Sequence, residues 1–257
     1  MRSLWTGSIS FGLITIPITM YSASRDRALD FDMLHKDDLG QINFKRVCSK
    51  DGEEVPYEDI VKGFKYREDK YVVLEEDDFK RASPEKSERI DIEQFVPASE
   101  IDPQYFEKPY YLEPGKGADK AYVLLREALA QEKSVAVARM VFRQREDLVV
   151  LKSAHDLLML IQLRYEDEIR EPEDLKIPHK VAVTRKEIEM AVELLEKMKG
   201  KFDPKDFRDT YTERLEKVIT AKARGQKFKP LPKSAKPSEP SDLIAQLRAS
   251  LEHHRAR

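Results

Sequence analysis

The chain has 257 residues, 40% of them apolar and 37% charged. That is enough for one sizeable core with a small helical appendage, and too little for several domains. A formal charge of −2 and a pI near 6.3 exclude a uniformly basic nucleic-acid-binding surface, and no apolar run approaches the roughly 20 residues of a membrane helix.

Ile14, Ile16, Ile18 and Met20 alternate with Thr15, Pro17, Thr19 and Tyr21. This period-2 pattern predicts a half-buried strand within Ser8 to Tyr21. Pro17 cannot donate to a ladder and places that strand at an edge, a bulge or a barrel corner. Further strand patterns fall at Tyr71 to Leu74, Arg89 to Val96, Tyr110 to Leu112, Val135 to Phe142, Leu148 to Ser153 and Leu157 to Tyr165. Tight polar turns separate the last three, which predicts an antiparallel meander or barrel. After Gly117 one helix is expected, with Ala121, Leu124, Leu125 and Ala128 on its apolar face, covering one barrel opening.

Beyond Ile169 the pattern turns helical. Thr184-Arg-Lys-Glu187 has capping-box spacing, and Ile188, Ala191, Val192, Leu195 and Met198 recur at helical intervals until Gly200. Asp203-Pro204 is expected to open the next helix, with Phe207, Tyr211, Leu215 and Val218 as its stripe and Gly225 as its end. Met190 and Leu194 widen the first stripe beyond what one contact uses, so these helices pack on the barrel or on a second copy of the chain. Residues 226 to 240 form a Pro/Lys-rich linker. Ser241 then caps a short helix with Leu243, Ile244, Leu247 and Leu251 on one side, a docking peptide by physical logic. From Lys222 to Arg257 nine Lys/Arg stand against three Asp/Glu, a local +6 that leaves residues 1 to 221 at −8.

Four blocks together carry a family signature: Trp5-Thr-Gly-Ser-Ile-Ser-Phe-Gly-Leu-Ile-Thr-Ile-Pro-Ile-Thr-Met-Tyr-Ser-Ala23; Phe44-Lys-Arg-Val-Cys48 with Gly52-Glu-Glu-Val-Pro-Tyr57; Lys108-Pro-Tyr-Tyr-Leu-Glu-Pro-Gly115; and Leu163-Arg-Tyr-Glu-Asp-Glu-Ile-Arg170. In their order and spacing the chain resembles the bacterial Ku family from about Leu4 to its end. The resemblance implies a mostly β fold with helical additions: a barrel core over residues 1–171 interrupted by a DNA-encircling arch at about 30–95, a dimerisation arm at 172–225, the linker at 226–240 and a tethered C-terminal helix at 241–257. It implies a homodimer that threads double-stranded DNA ends, and a multifunctional end-joining DNA ligase of the ligase D type as partner. A long lysine-rich extension found in some relatives is not expected here.

By this resemblance the arch holds the DNA. Lys36, Lys45, Arg46, Lys50, Lys62, Lys65 and Arg67 are the candidate phosphate contacts, interleaved with Phe44, Tyr57, Phe64, Tyr66 and Tyr71, which stiffen the arch. Ile188, Met190, Leu194, Leu195, Tyr211 and Leu215 are the candidate dimer interface, and Leu243, Leu247 and Leu251 the candidate ligase contacts. A cytoplasmic, nucleoid-associated location is expected, in keeping with the single cysteine, Cys48.

No catalytic constellation is expected. The sequence has no Gly-x-x-x-x-Gly-Lys phosphate loop and no Gly-x-Ser-x-Gly elbow, and Gly115-Lys-Gly117 and His155-Asp156 read as turns. Some Ku relatives have a Cys-x-x-Cys where this chain has Cys48-Ser-Lys-Asp51. Without the second thiolate, His35 and Cys48 fall short of the four ligands of a structural zinc, so neither metal nor cofactor is expected. The acidic runs Glu75 to Asp78 and Glu166 to Glu168 are expected to face outward. The competing function is a non-catalytic barrel scaffold that binds protein peptides, for which an acidic body and a docking helix would suffice.

Overall fold

A computed structural model describes residues 1–68, 70–82, 88–143, 145–178, 180–226 and 243–255. The chain divides into two compact units, Met1–Pro172 and Glu173–Arg257.

The first unit is a closed barrel of seven strands in the order β1-β2-β6-β9-β8-β7-β5. These are β1 (Ser3–Phe11), β2 (Ile14–Ser22), β5 (Arg89–Pro97), β6 (Phe106–Pro114), β7 (Ser134–Phe142), β8 (Arg145–Ala154) and β9 (Leu157–Leu163). Every neighbouring pair is antiparallel except β1 and β5, which run parallel from Ser8↔Arg89 to Ser10↔Asp91. The barrel expectation holds, but the single strand expected at Ser8 to Tyr21 is a hairpin. Gly12 turns the chain there at φ +56, a left-handed conformation glycine adopts without a Cβ penalty. Ile9 and Ile16, seven residues apart and paired across the turn, both point into the core, so the turn shifts the alternation by one residue and leaves Ile14 of the expected inward set exposed. Pro17 sits one residue before the first β2–β6 pair, Ile18↔Pro114, at the margin of that ladder.

The barrel interior is filled by Ile9, Ile16, Ile18, Met20, Ile90, Leu112, Met140, Val149, Leu151, Leu158 and Leu160. A second cluster, Val135, Val150 and Leu163, lies under Ile101, Tyr105 and Phe106 of the β5–β6 connection. This explains why Leu157 to Leu163 is apolar without alternation: β9 has cover on both faces.

Helix α2 (Asp119–Gln131) follows Gly117 as expected and contacts β2, β7, β8 and β9. Its buried face is Tyr122, Leu125 and Leu129, whereas Leu124 is exposed. The expected face is thus rotated, because Tyr122 has a polar task inside. Its hydroxyl donates to the Leu112 carbonyl at 2.6 Å and accepts from the Leu158 N–H at 2.7 Å, joining the helix to the last β6–β9 pair. Burial pushes the Tyr122 phenol above its ordinary pKa. Tyr122→Phe would orphan two buried backbone groups, each costing about 1–3 kcal/mol. Denaturant unfolding of the barrel is therefore expected to show a loss of about 3 kcal/mol. A loss under about 1 kcal/mol would show that water replaces the hydroxyl.

Between β2 and β5 the chain leaves the barrel for residues 23 to 88. The excursion ends at Glu88, short of the 95 expected, because Arg89–Pro97 pairs with β1 and β7 as barrel strand β5. It carries β3 (Lys62–Arg67), β4 (Lys70–Leu74) and the short helix α1 (Glu76–Ala82). Of these the strand patterns had shown only β4.

In the second unit, α3 (Arg185–Met198) begins with the expected capping box, Thr184 and Glu187 each bonding the other's backbone. Asp203-Pro204 forms only a single turn; α4 (Thr210–Ala223) starts later, where the Asp209 carboxylate accepts from the Tyr211 and Thr212 N–H groups. Phe207 therefore lies before the helix, stacked on Phe202 at 5.5 Å. Helix α5 (Leu243–Arg255) follows, while Ser241 and most of the linker fall outside the described residues. Among the described residues no helix is long and apolar enough to cross a membrane.

Candidate nucleic-acid interface

The excursion opens with two tight turns. Leu34 bridges Gln41 and Val47 bridges Glu54; the turns close through His35 N–H to Gly40 O at 2.7 Å and Cys48 N–H to Glu53 O at 2.8 Å. Lys36 and Lys50 project from them, both exposed. The other charges here are locally matched. Lys45 Nζ pairs with Glu54 at 2.7 Å, and His35 Nδ1 meets Asp38 at 2.7 Å. The Gly40 N–H, and then the His35 ring, hold the Asp38 carboxyl below its ordinary pKa. Arg46 lies 5.2 Å over the Tyr57 ring. Among the described residues no three His, Cys, Asp or Glu side chains gather in a way that could hold a metal ion.

Residues 23 to 88 as a whole carry thirteen Lys/Arg against eighteen Asp/Glu, so the excursion is acidic overall and its basic character must be local. It is local to the β3–β4 hairpin. Lys62, Lys65, Arg67 and Lys70 lie on the two strands with no acidic residue among them. Every β3 residue is exposed, as is all of β4 but its last.

The hairpin register sorts these cations. Lys62 faces Leu74, Phe64 faces Val72 and Lys65 faces Tyr71; a bulge then intervenes, and Arg67 faces Lys70. Tyr66 is the extra residue, and an extra residue reverses the alternation of faces. Arg67 and Lys70 therefore join Lys62 on one face, while Lys65 and Tyr71 share the other. Simple alternation puts Lys65 and Arg67 together; the bulge separates them. Lys62 Nζ lies 4.8 Å from the Phe79 ring of α1, and Arg67 lies 6.0 Å from Tyr66. Lys70 is outside the candidate contacts named above, and the register places it with Lys62 and Arg67. The acidic run Glu76 to Asp78 occupies the first turn of α1 and is exposed, a favourable place for negative charge.

The other blocks build the barrel. A Cβ on Gly7 would collide with the Trp5 ring and the Glu88 carbonyl, and one on Gly115 would lie 2.9 Å from Pro17 Cβ. Arg164 donates to the Phe106 carbonyl at 2.8 Å, and Glu168 accepts from the Tyr165 N–H at 2.9 Å and from Arg145 at 3.1 Å. Beside this clasp Asp147 is buried and receives the Gln162 amide at 3.1 Å. Its burial raises the carboxyl above its ordinary pKa. A raised acid destabilises the fold once pH exceeds its folded pKa.

Of the candidate interface residues in the second unit, Ile188, Leu195 and Tyr211 are exposed, and Met190, Leu194 and Leu215 are half-buried. Leu247 and Leu251 of α5 are half-buried, and the Leu243 side chain lies outside the described residues.

These features define a β-barrel protein with a long inserted arm, one hairpin of which carries four cations on acid-free strands. The family model described as the Ku70/Ku80 beta-barrel domain matches residues 10–190. The chain is similar to the non-homologous end joining protein Ku of Opitutus terrae, 42% identical over 98% of this chain and 91% of that protein. It is also similar to that of Bacillus subtilis, at 35% over 99% and 83%, and to that of Mycobacterium tuberculosis, at 35% over 98% and 95%. The chain belongs to the Ku family. Among solved structures, the SPOC domain of human PHD-finger protein 3 overlays 63% of this chain and 97% of its own, at 11% identity and a TM-score of 0.31.

Proposed function

We propose that this protein binds the ends of double-stranded DNA without regard to sequence, as a ring-shaped homodimer, and recruits and stimulates a multifunctional end-joining ligase of the ligase D type. It does so without chemistry of its own. The observation that carries the reading is the β3–β4 hairpin, a ribbon whose two strands carry four Lys/Arg and no acid, on an otherwise acidic excursion. Such a ribbon suits phosphates, which position a protein on DNA without specifying sequence. The names of the relatives place them in non-homologous end joining, and double-strand break repair requires acceptance of any end.

Threading has a direct test. A gel shift is expected with linear DNA and not with closed circular DNA of equal length, and hairpin-blocked ends are expected to reduce loading. Equal affinity for linear and circular DNA would sink threading. It would leave the peptide-binding scaffold, which the acidic body and docking helix suggest and to which the structure adds an apolar cleft of about 580 Å³ lined by Phe11, Ile14, Phe95, Leu124 and Ala128.

A further inference from the structure

A tethered amphipathic helix is expected to wait uncovered for its partner, yet α5 lies against α3. On α3 the half-buried side chains are Glu187, Met190, Ala191 and Leu194, one stripe at helical spacing. On α5 they are Ile244, Leu247, Ser250 and Leu251, again one stripe. The remaining apolar residues of α3 form a different stripe, Ile188, Val192 and Leu195, about a third of a turn away and exposed. Helix α3 thus presents two apolar faces, one covered by its own chain and one open.

We infer that α5 is a releasable cap on α3, and that the Leu247 and Leu251 stripe which would engage a partner is the stripe that α3 already occupies. The two uses exclude each other, since one apolar stripe cannot lie on two surfaces at once. Residues 224–242 connect α4 to α5, and nineteen residues reach at most about 65 Å when extended. That tether lets α5 leave α3 without leaving the protein. The partner it fits presents an apolar groove, whose rim meets the exposed Arg248 and Glu252 beside the stripe. The cap lowers the partner's apparent affinity by the fraction of α5 that is released at any moment. It also divides labour on α3: Met190 and Leu194 face α5, which leaves Ile188, Val192 and Leu195 for a second copy of the chain.

The inference rests on the recruitment reading above, and hydrogen exchange tests the two separately. Amides of Met190 to Leu194 are followed in the full chain, in a chain ending at Gly225, and in the full chain saturated with purified cognate end-joining ligase. Deletion of α5 is expected to speed exchange there about tenfold, since a helix that loses a packed face opens more readily. Ligase is expected to do the same in the full chain while α5 itself stays protected, having moved from one surface to the other. Unchanged exchange on deletion would overturn the cap. Ligase bound with α3 protection intact would overturn the competition. A deletion that deprotects α3, with no ligase bound to the full chain, would leave the cap standing and sink the recruitment reading.

Discussion

Leu195→Asp is expected to abolish dimerisation and, with it, binding to DNA ends. Leu195 is 67% exposed in the single chain and sits with Ile188 and Val192 on the open face of α3, so a charge there leaves the protomer's own packing unaltered. A stable dimer commonly buries more than about 2,000 Å² in an apolar interface. An unpaired carboxylate inside such an interface costs several kcal/mol; about 4 kcal/mol corresponds to roughly a thousandfold weaker association. Light scattering should find a monomer, and the gel shift on linear DNA should disappear. A variant that stayed dimeric and still held DNA ends would remove this face of α3 from the interface.

The second large effect is on salt dependence. If about eight phosphates are neutralised per dimer, log K should fall against log salt with a slope near −7, and each lost contact should reduce that steepness by about 0.9. A dimer repeats every site, so one alanine substitution removes two contacts and about 1.8 from the slope. The full change is expected for Lys65→Ala and Arg67→Ala, which lie on a strand that carries no acid. Lys45→Ala should change it less, because Glu54 already balances that charge. Arg46→Ala with an unaltered slope would confine Arg46 to its stack on Tyr57.

The parts legible in the sequence were those with a strong period or a strong cap. β7, β8 and β9 alternate or run apolar between polar turns, and the Thr184 box marked the start of α3 to the residue. Other features depend on information that pairing alone supplies. Gly12 reverses the chain and shifts the inward set from Ile9 to Ile16, Ile18 and Met20, a change of phase that the Ile14-to-Met20 alternation does not show. Asp203-Pro204 reads as a helix start and yields one turn, because the Asp209 carboxylate accepts two N–H groups at the start of the better helix. The candidate site shows the same division. Its cations were plain, but their faces were not, because the bulge at Tyr66 exists only in the register between β3 and β4. Nor does the α5 pattern name its counterface: an apolar stripe at helical spacing is the same whether it meets a neighbour in the chain or a separate protein.

The lone parallel pair has a mechanical consequence. The excursion departs from the end of β2 at Ser22 and returns at Arg89, and the strands at both roots, β2 and β5, are hydrogen-bonded to β1. Tension on the arm is shared at each root between β1 and an outer neighbour, β6 beside β2 and β7 beside β5. Only three registered pairs, Ser8 to Ser10, join β1 to β5, whereas β2 grips β1 along nearly its whole length and β5 grips β7 from Ile90 to Pro97. The barrel's weakest seam under tension is therefore β1–β5. Parting there would open the barrel between β1 and β5 while β5 stayed registered on β7 and the β1–β2 hairpin stayed whole, so the arm's returning root would keep its anchor.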